Sequence, residues 1–247
     1  MTELFHMFVY QPVYNVLVFF MDVFPGANFG IAIIGTTILI KLIFLSLSKK
    51  QIESQKKMQE IQPKLKEIQE KYKNDKEKQS KAIMQFYKEN KVNPLAGCLP
   101  LIVQLLFFIT IYRIIIKISQ TGFQVDTTAL YAFISNPGTL SRYFLGIDLS
   151  SPSRLFAVLA AAAQFYQMKM LMRSQPKKER KEGEQADFAT IMNQQMLYMG
   201  PILTLWIGFT FPAALSLYWM ISTVFAIIQQ WYMFKGKAST PVAVVHP

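Results

Sequence analysis

The chain has 247 residues, 52% of them hydrophobic and only 17% charged, with one cysteine, two histidines and a net charge of +11. That balance excludes an ordinary soluble globular domain, and the lone Cys98 excludes an internal disulfide framework. Histidines at 6 and 246 form no catalytic or metal-ligating cluster, and no G-x-x-x-x-G-K loop is present, so no motif points to an enzyme, a cofactor or a metal. Residues 1–27 hold an uncharged run, LFHMFVYQPVYNVLVFF, interrupted by Gln11, Pro12 and Asn15. The run could be a sixth span, but that would place an amino terminus without basic residues in the cytoplasm, so we expect an amphipathic helix lying in the outer membrane interface. It is not a signal peptide as it stands, because a basic leading region is missing, and a removed upstream signal stays open.

Residues 28–48 are expected to form the first transmembrane helix. The stretch Phe29 to Ser48 is 20 residues long and Lys41 is its only charge. A cation at mid-bilayer costs on the order of 3 kcal/mol. Each Ile or Leu returns roughly 0.5 kcal/mol, so the span can carry it. Two explanations stand for Lys41. Lys49 is eight residues on, about 12 Å along a helix, so the side chain could snorkel to the headgroups. Alternatively it lines a water-filled groove.

Residues 49–92 carry thirteen lysines and seven acids. Met58, Ile61, Leu65, Ile68 and Tyr72 step by 3, 4, 3, 4, a narrow apolar stripe on one helix. Asn74-Asp75 signals a turn. Ala82, Ile83, Phe86 and Tyr87 offer a partner face, and Pro63 is expected to kink the first helix or start its second half. The expectation is a cytoplasmic two-helix hairpin. It is either a solvated connector or a docking element presenting Pro63, Tyr72 and Tyr87. Its basic residues could touch ribosomal RNA phosphates, but the interleaved acids argue against tight non-specific binding, and no DNA partner is expected.

Four more transmembrane helices are expected at 93–117, 154–173, 191–211 and 212–235, each near the ~20 residues that cross a bilayer. Between them lie an extracytoplasmic loop at 118–153 and a cytoplasmic loop at 174–190, and a cytoplasmic tail follows at 236–247. Residues 1–40 contain no Lys or Arg, and loop 118–153 carries only Asp126, Arg142 and Asp148. Five basic residues fall between Arg173 and Lys181. The positive-inside bias therefore places the amino terminus outside and the carboxy terminus in the cytoplasm. The fold class expected is an all-α membrane protein of five spans, an outer interfacial helix and a cytoplasmic hairpin.

Polar residues recur inside these spans: Thr37, Gln104, Gln164, Gln167, Gln194, Gln195, Ser216, Tyr218, Trp219, Ser222 and Thr223. Singly, each is explained by an interhelical hydrogen bond. Their number, with Lys41, favours a shared hydrated cavity. No Asp or Glu lies inside any span. A proton or cation path would normally use one, whereas an unpaired cation suits a transient anionic guest. Met168, Met170, Met172, Met192, Met196 and Met199 cluster near one end of the third and fourth spans. They serve as core or lipid-facing filler, or adapt to varied apolar guests. The run Ala160–Ala163 permits close helix approach, Gly200-Pro201 is expected to kink the fourth span, and Arg113 is expected first to snorkel to the outer interface and second to help seal the groove.

The stretches MQEIQPKLKEIQEKYKND, FYKENKVNPLAGCLPLIVQ and IYRI, with QPVYNVL, GIDLSSPS and FPAALSLYWMISTVFAIIQQWYM, resemble the YidC-type membrane protein insertase family. The N-P-x-x-G-C-x-P segment at Asn93 to Pro100 is the most specific. The resemblance runs from about Tyr10 to Tyr232 and matches the five-span core without the large extracytoplasmic domain of some bacterial members. It implies an insertase and chaperone of the bacterial cytoplasmic membrane, not an enzyme, working without cofactor. Its clients would be nascent membrane proteins, with the ribosome, the Sec translocon and the lipid bilayer as further partners. The implied groove is positively charged and open to cytoplasm and lipid, with Lys41, Thr37, Gln104, Gln167, Ser216, Tyr218 and Trp219 as candidates. Where this chain has Lys41, the family usually has arginine; lysine keeps the charge but lacks the planar fork. The competing functions are a channel or small transporter and a non-translocating assembly scaffold.

Overall fold

The computed structural model describes residues 3–24, 29–90, 92, 99–173 and 188–235. The segment 93–98, with most of the N-P-x-x-G-C-x-P motif, residues 174–187 and the tail from 236 lie outside the described residues, as do the side chains of Met192, Gln194 and Met196.

The protein is an all-α membrane protein, its described part built from eight main helices. Helix α1 covers Glu3–Val23, α2 Phe29–Ile43, α3 Leu45–Lys71, α4 Lys76–Glu89 and α5 Leu99–Gln120. Helices α6, α7 and α8 cover Arg154–Arg173, Phe188–Thr210 and Ala213–Lys235. Among the described residues four helical stretches are long and apolar enough to cross a membrane, at Glu3–Val23, Ile102–Gln120, Arg154–Met172 and Ala213–Met233. The pair Phe29–Ile43 and Leu45–Ser54 makes a fifth if it is counted as one broken span, and α7 contributes a shorter apolar stretch at Leu197–Thr210.

The apolar run from Phe29 to Ser48 is not one straight helix. It bends by 66° between Ile43 and Leu45. Phe44 leaves helical geometry there, at φ −90° and ψ 13°. Its ring meets Phe107 edge-on at 5.7 Å, which holds the bend against α5. Beyond the bend, Ser48 and Gln229 exchange side-chain hydrogen bonds of 3.2 and 2.8 Å, tying the start of α3 to α8. Helix α2 alone is therefore about 22 Å long, and Lys41 lies in its last turn.

Helices α3 and α4 are joined by the turn at Tyr72–Asp75 and fold back on each other around Ile61, Leu65 and Val92, with Met58, Ile83, Phe86 and Tyr87 packed against them. Asp75 caps α4 by accepting from the Lys78 N–H at 3.0 Å. Helix α3 continues through Pro63 as one element, and α7 continues through Pro201.

The main core sits at one end of the bundle, where α1, α2, α5 and α8 meet the loop 121–153. Fully buried there are Tyr14, Leu17, Ile33, Ile111, Ile114, Leu149, Leu215 and Leu217. The loop supplies partners for helix starts that would otherwise leave N–H groups bare. Phe29 N–H donates to the Ser141 carbonyl at 3.0 Å, and Ala213 and Ala214 donate to those of Ser151 and Leu149 at 2.9 and 3.1 Å. Within the loop, strands β1 (Tyr143–Phe144) and β2 (Ile147–Asp148) pair antiparallel across the two-residue turn Leu145-Gly146. Both turn residues have positive φ, 52° and 79°, the geometry that suits a tight hairpin. The Phe144 side chain lies where a Cβ on Gly30 would fall, 2.4 Å from Cγ, so only glycine allows the hairpin this close to α2.

Gln11, Pro12 and Asn15, which break the apolar run of α1, have structural partners or consequences. Asn15 is 1% exposed. Its Nδ2 donates to the Ala129 carbonyl at 2.8 Å, and its Oδ1 accepts from Tyr131 N–H at 2.7 Å. Gln11 donates to the same Ala129 carbonyl at 3.3 Å. A π-helical turn at His6–Tyr10 lies just ahead of Pro12, which cannot donate to the ladder.

Helices α6 and α7 turn apolar side chains outward, among them Leu155, Val158, Met199, Ile202, Leu203 and Trp206. The buried polar side chains include Thr36, Thr37, Thr110, Thr204, Ser216, Ser222 and Thr223. Apolar outside and polar groups within is the arrangement that lipid imposes.

Candidate functional site

The site is built on three helices, α2, α5 and α8. Gln104 of α5 is its hub. Its Oε1 accepts from the Lys41 ammonium at 3.4 Å and from the Ser222 hydroxyl at 3.2 Å, and its Nε2 donates to the Tyr218 hydroxyl at 3.2 Å. Tyr218 and Ser222 are one turn apart on α8, so one helix face presents both hydroxyls. Both are buried, while Lys41 and Gln104 are half-buried. Among the described residues no carboxylate pairs with Lys41, whose polar contact is the amide oxygen. Such an amide leaves the ammonium with unused donor capacity.

A second polar cluster lies between α6, α7 and α8. Gln164 Oε1 accepts from the Trp219 indole N–H at 2.8 Å and from the Thr204 hydroxyl. Gly200 makes room for that amide: a Cβ there would lie 2.9 Å from Gln164 Nε2. The Trp219 ring meets Phe108 of α5 edge-on at 5.5 Å, linking the two clusters through one aromatic contact.

The candidate residues divide accordingly. Lys41, Gln104 and Tyr218 come together directly. Trp219 belongs to the Gln164 cluster. Thr37 is buried and donates to the Ile33 carbonyl of its own helix at 2.6 Å, so its hydroxyl is already committed. Ser216 is buried beside Gly208, at the contact of α7 with α8, and its Oγ has no hydrogen-bond partner among the described residues. Gln167 is half-buried and makes no hydrogen bond among the described residues. In the hairpin, Tyr87 packs on the Ile61–Leu65 cluster, and burial pushes its phenol pKa up. Tyr72 is half-buried at the turn, and Pro63 lies inside α3. Of the methionines, Met199 is exposed, while Met168, Met170 and Met172 are half-buried.

Ser222, Gln164 and Gln229 complete these contacts. The first two are visible in the sequence as polar residues within apolar runs. Gln229 gives no such signal, because it sits near the end of its helix beside Gln230.

The two halves of α5 differ sharply. Ile102, Leu105 and Leu106 near Gln104 are exposed, whereas Ile111, Ile114, Ile115 and Ile118 toward the loop are fully buried. The main core lies at the loop-bearing end, while the half of α5 beside the Lys41 cluster turns apolar side chains outward. Loop 121–153 is fastened by Tyr14, whose hydroxyl accepts from Asp126 N–H at 2.7 Å, and by the ion pair between Lys117 and Asp126. That pair, with the Thr128 hydroxyl, holds the Asp126 carboxyl below the usual carboxylate range.

The chain matches the 60Kd inner membrane protein family over residues 19–240. It is 34% identical to a protein named membrane protein insertase YidC from Fusobacterium nucleatum, over 92% of this chain and 98% of that relative. It is also 34% identical to a protein named membrane protein insertase YidC 2 from Bacillus anthracis, over 93% of this chain and 80% of the relative. A Rickettsia massiliae protein of the insertase name is 34% identical over 91% of this chain, which spans 38% of that longer relative. A match across nearly the whole sequence, on helices that turn their apolar faces outward, shows that the chain belongs to the 60Kd inner membrane protein family and is a multi-pass membrane protein.

Proposed function

We propose that this chain is a membrane protein insertase and chaperone that receives nascent membrane proteins in a hydrated, positively charged groove presenting Lys41 and Gln104, with the buried hydroxyls of Tyr218 and Ser222 behind the Gln104 amide. The groove opens to the cytoplasm and to lipid, and the loop 121–153 closes its outer end. The observation that carries this is the Gln104 hub on α5, which gathers a cation from α2 and two hydroxyls from α8. The insertase names of the relatives support the same activity. Lys41 attracts the carboxylates of a client's short acidic tail. The client's apolar segment then leaves sideways into lipid, driven by ~0.8 kcal/mol per CH₂ removed from water. The chain's part is to lower the barrier to the tail's passage, so no nucleotide or catalytic group is required. The α3–α4 hairpin lies in the cytoplasm and docks the ribosome or the Sec translocon, with the amino terminus outside and the carboxy terminus inside.

The test is site-specific photocrosslinking from positions 37, 41, 104 and 219 to a stalled nascent membrane protein. Positions 41 and 104 should crosslink strongly and 37 weakly, because Thr37 is buried and turned to its own backbone. Lys41→Ala and Lys41→Glu should abolish insertion of acidic-tailed clients while leaving the protein folded. Normal insertion by both variants would defeat the proposal.

A further inference from the structure

The β1–β2 hairpin is seated where α2 and α6 begin. Successive strand residues point to opposite sides, and here Phe144 faces the bundle while Tyr143 faces out. The Phe144 ring fills the space left by Gly30 in the first turn of α2 and stacks at 6.3 Å on Phe156 in the first turn of α6. The Phe29 N–H bond to the Ser141 carbonyl at 3.0 Å fixes the hairpin's other side to α2. Leu145, at the tip, is 80% exposed. Its φ of 52° lies where asparagine or glycine is favoured and where an L side chain crowds its own backbone. Leucine therefore gains nothing from the turn geometry and little from packing within the chain, so its apolar side chain calls for a contact outside it.

Depth and chemistry identify that contact. The chain is a multi-pass membrane protein, and helices that span a bilayer begin near its boundary. The Phe144–Phe156 contact brings their chain neighbours Leu145 and Leu155 to the same end of α6. Leu155 is 57% exposed, and Val158 and Leu159 carry the outward apolar face on at helical spacing. Residues 127–147 contain one charged side chain, Arg142. Its Nε lies 3.4 Å from the Asp148 carboxylate, its Nη2 donates to the Tyr143 hydroxyl at 3.0 Å, and its guanidinium lies over the Tyr143 ring at 5.2 Å. A neutralised arginine and a half-exposed tyrosine behind an exposed leucine have the composition of a headgroup boundary, where amphipathic side chains keep their polar ends in the wet layer.

We propose that the β1–β2 hairpin is a lipid anchor, with Leu145 entering the acyl-chain boundary of the leaflet at the loop-bearing end and with Arg142 and Tyr143 held among its headgroups. The anchor needs only that the chain is embedded in a bilayer and is independent of the insertase proposal.

The experiment is electron paramagnetic resonance of the full-length protein in phosphatidylethanolamine–phosphatidylglycerol vesicles. In a Cys98→Ser background, a nitroxide is attached at Leu145→Cys and, for reference, at Ser135→Cys, an exposed position of the same loop. Oxygen concentrates among acyl chains, whereas a nickel chelate stays in water. The ratio of oxygen to nickel collisions should be severalfold higher at 145 than at 135. Both variants should keep the parent's melting temperature in detergent, because both side chains are exposed. An equal or lower ratio at 145 leaves the tip in water and overturns the proposal. A label at 145 that is immobilised and shielded from both reagents means that protein covers the tip, a second copy of this chain included, and overturns it as well.

Discussion

Gln104 is the residue on which the polar cluster turns, because among the described residues its amide is the group that touches Lys41, Tyr218 and Ser222 together. Replacing it separates two effects. Gln104→Leu removes the amide from two buried hydroxyls, Tyr218 and Ser222, which keep only their contact with each other, and should cost about 1–3 kcal/mol, read as a lower melting temperature in detergent. Gln104→Glu keeps the shape but sets a carboxylate about where Oε1 lies, 3.4 Å from the ammonium. That variant should fold at least as well as the parent yet lose insertion of acidic-tailed clients in a proteoliposome assay, because Lys41 gains a permanent counter-charge. Lys41→Arg should keep insertion, since the charge persists. Lys41, Gln104 and Tyr218 are legible in the sequence as polar groups stranded in apolar runs. That Trp219 belongs to a different cluster is not, since it follows Tyr218 directly and points to another helix.

Among the elements, α6, α7 and α8 approach closely because small residues allow it. A Cβ on Gly208 would lie 2.8 Å from the Ala157 Cα, and Ala157 and Ala160 are fully buried. Gly208→Val should therefore push α7 from α6 and cost about 1–3 kcal/mol, seen as a lower detergent melting temperature with the α3–α4 pair unaffected. The hairpin is tested separately. Asp75→Ala removes the acceptor for Lys78 N–H, so amides 76–79 should exchange faster with deuterium while those of α8 stay protected. The apolar stripe Met58–Ile61–Leu65 and the turn signal Asn74-Asp75 are legible in the sequence, and they fall on the packed face and the connection of α3 and α4. The 66° bend at Phe44 was not announced. Apolar residues continue across it without a Gly or Pro, and at the bend Phe44 meets Phe107 of α5, a contact between residues far apart in the chain.

At the scale of the whole molecule, the loop 121–153 and α1 close one end of the bundle and leave the other end to the polar cluster. The Lys117–Asp126 pair and Tyr14 are the fasteners. Asp126 titrates below its unfolded value of about 3.9, so its contribution is present above that pH and is lost as pH falls through the lower folded value. Limited proteolysis should therefore find loop 121–153 more readily cut below about pH 4, and Asp126→Asn should be cut readily at neutral pH with little further change on acidification. By itself the sequence determined the membrane class, the helical stretches and the family resemblance, because hydropathy, charge bias and short motifs are properties of consecutive residues. Only the tertiary structure decided which polar groups share a neighbour, that Gln11 and Asn15 serve the loop, and that the packed core lies at one end. Those depend on the rotation of each helix about its axis and on contacts between residues more than a hundred positions apart, and local pattern carries neither.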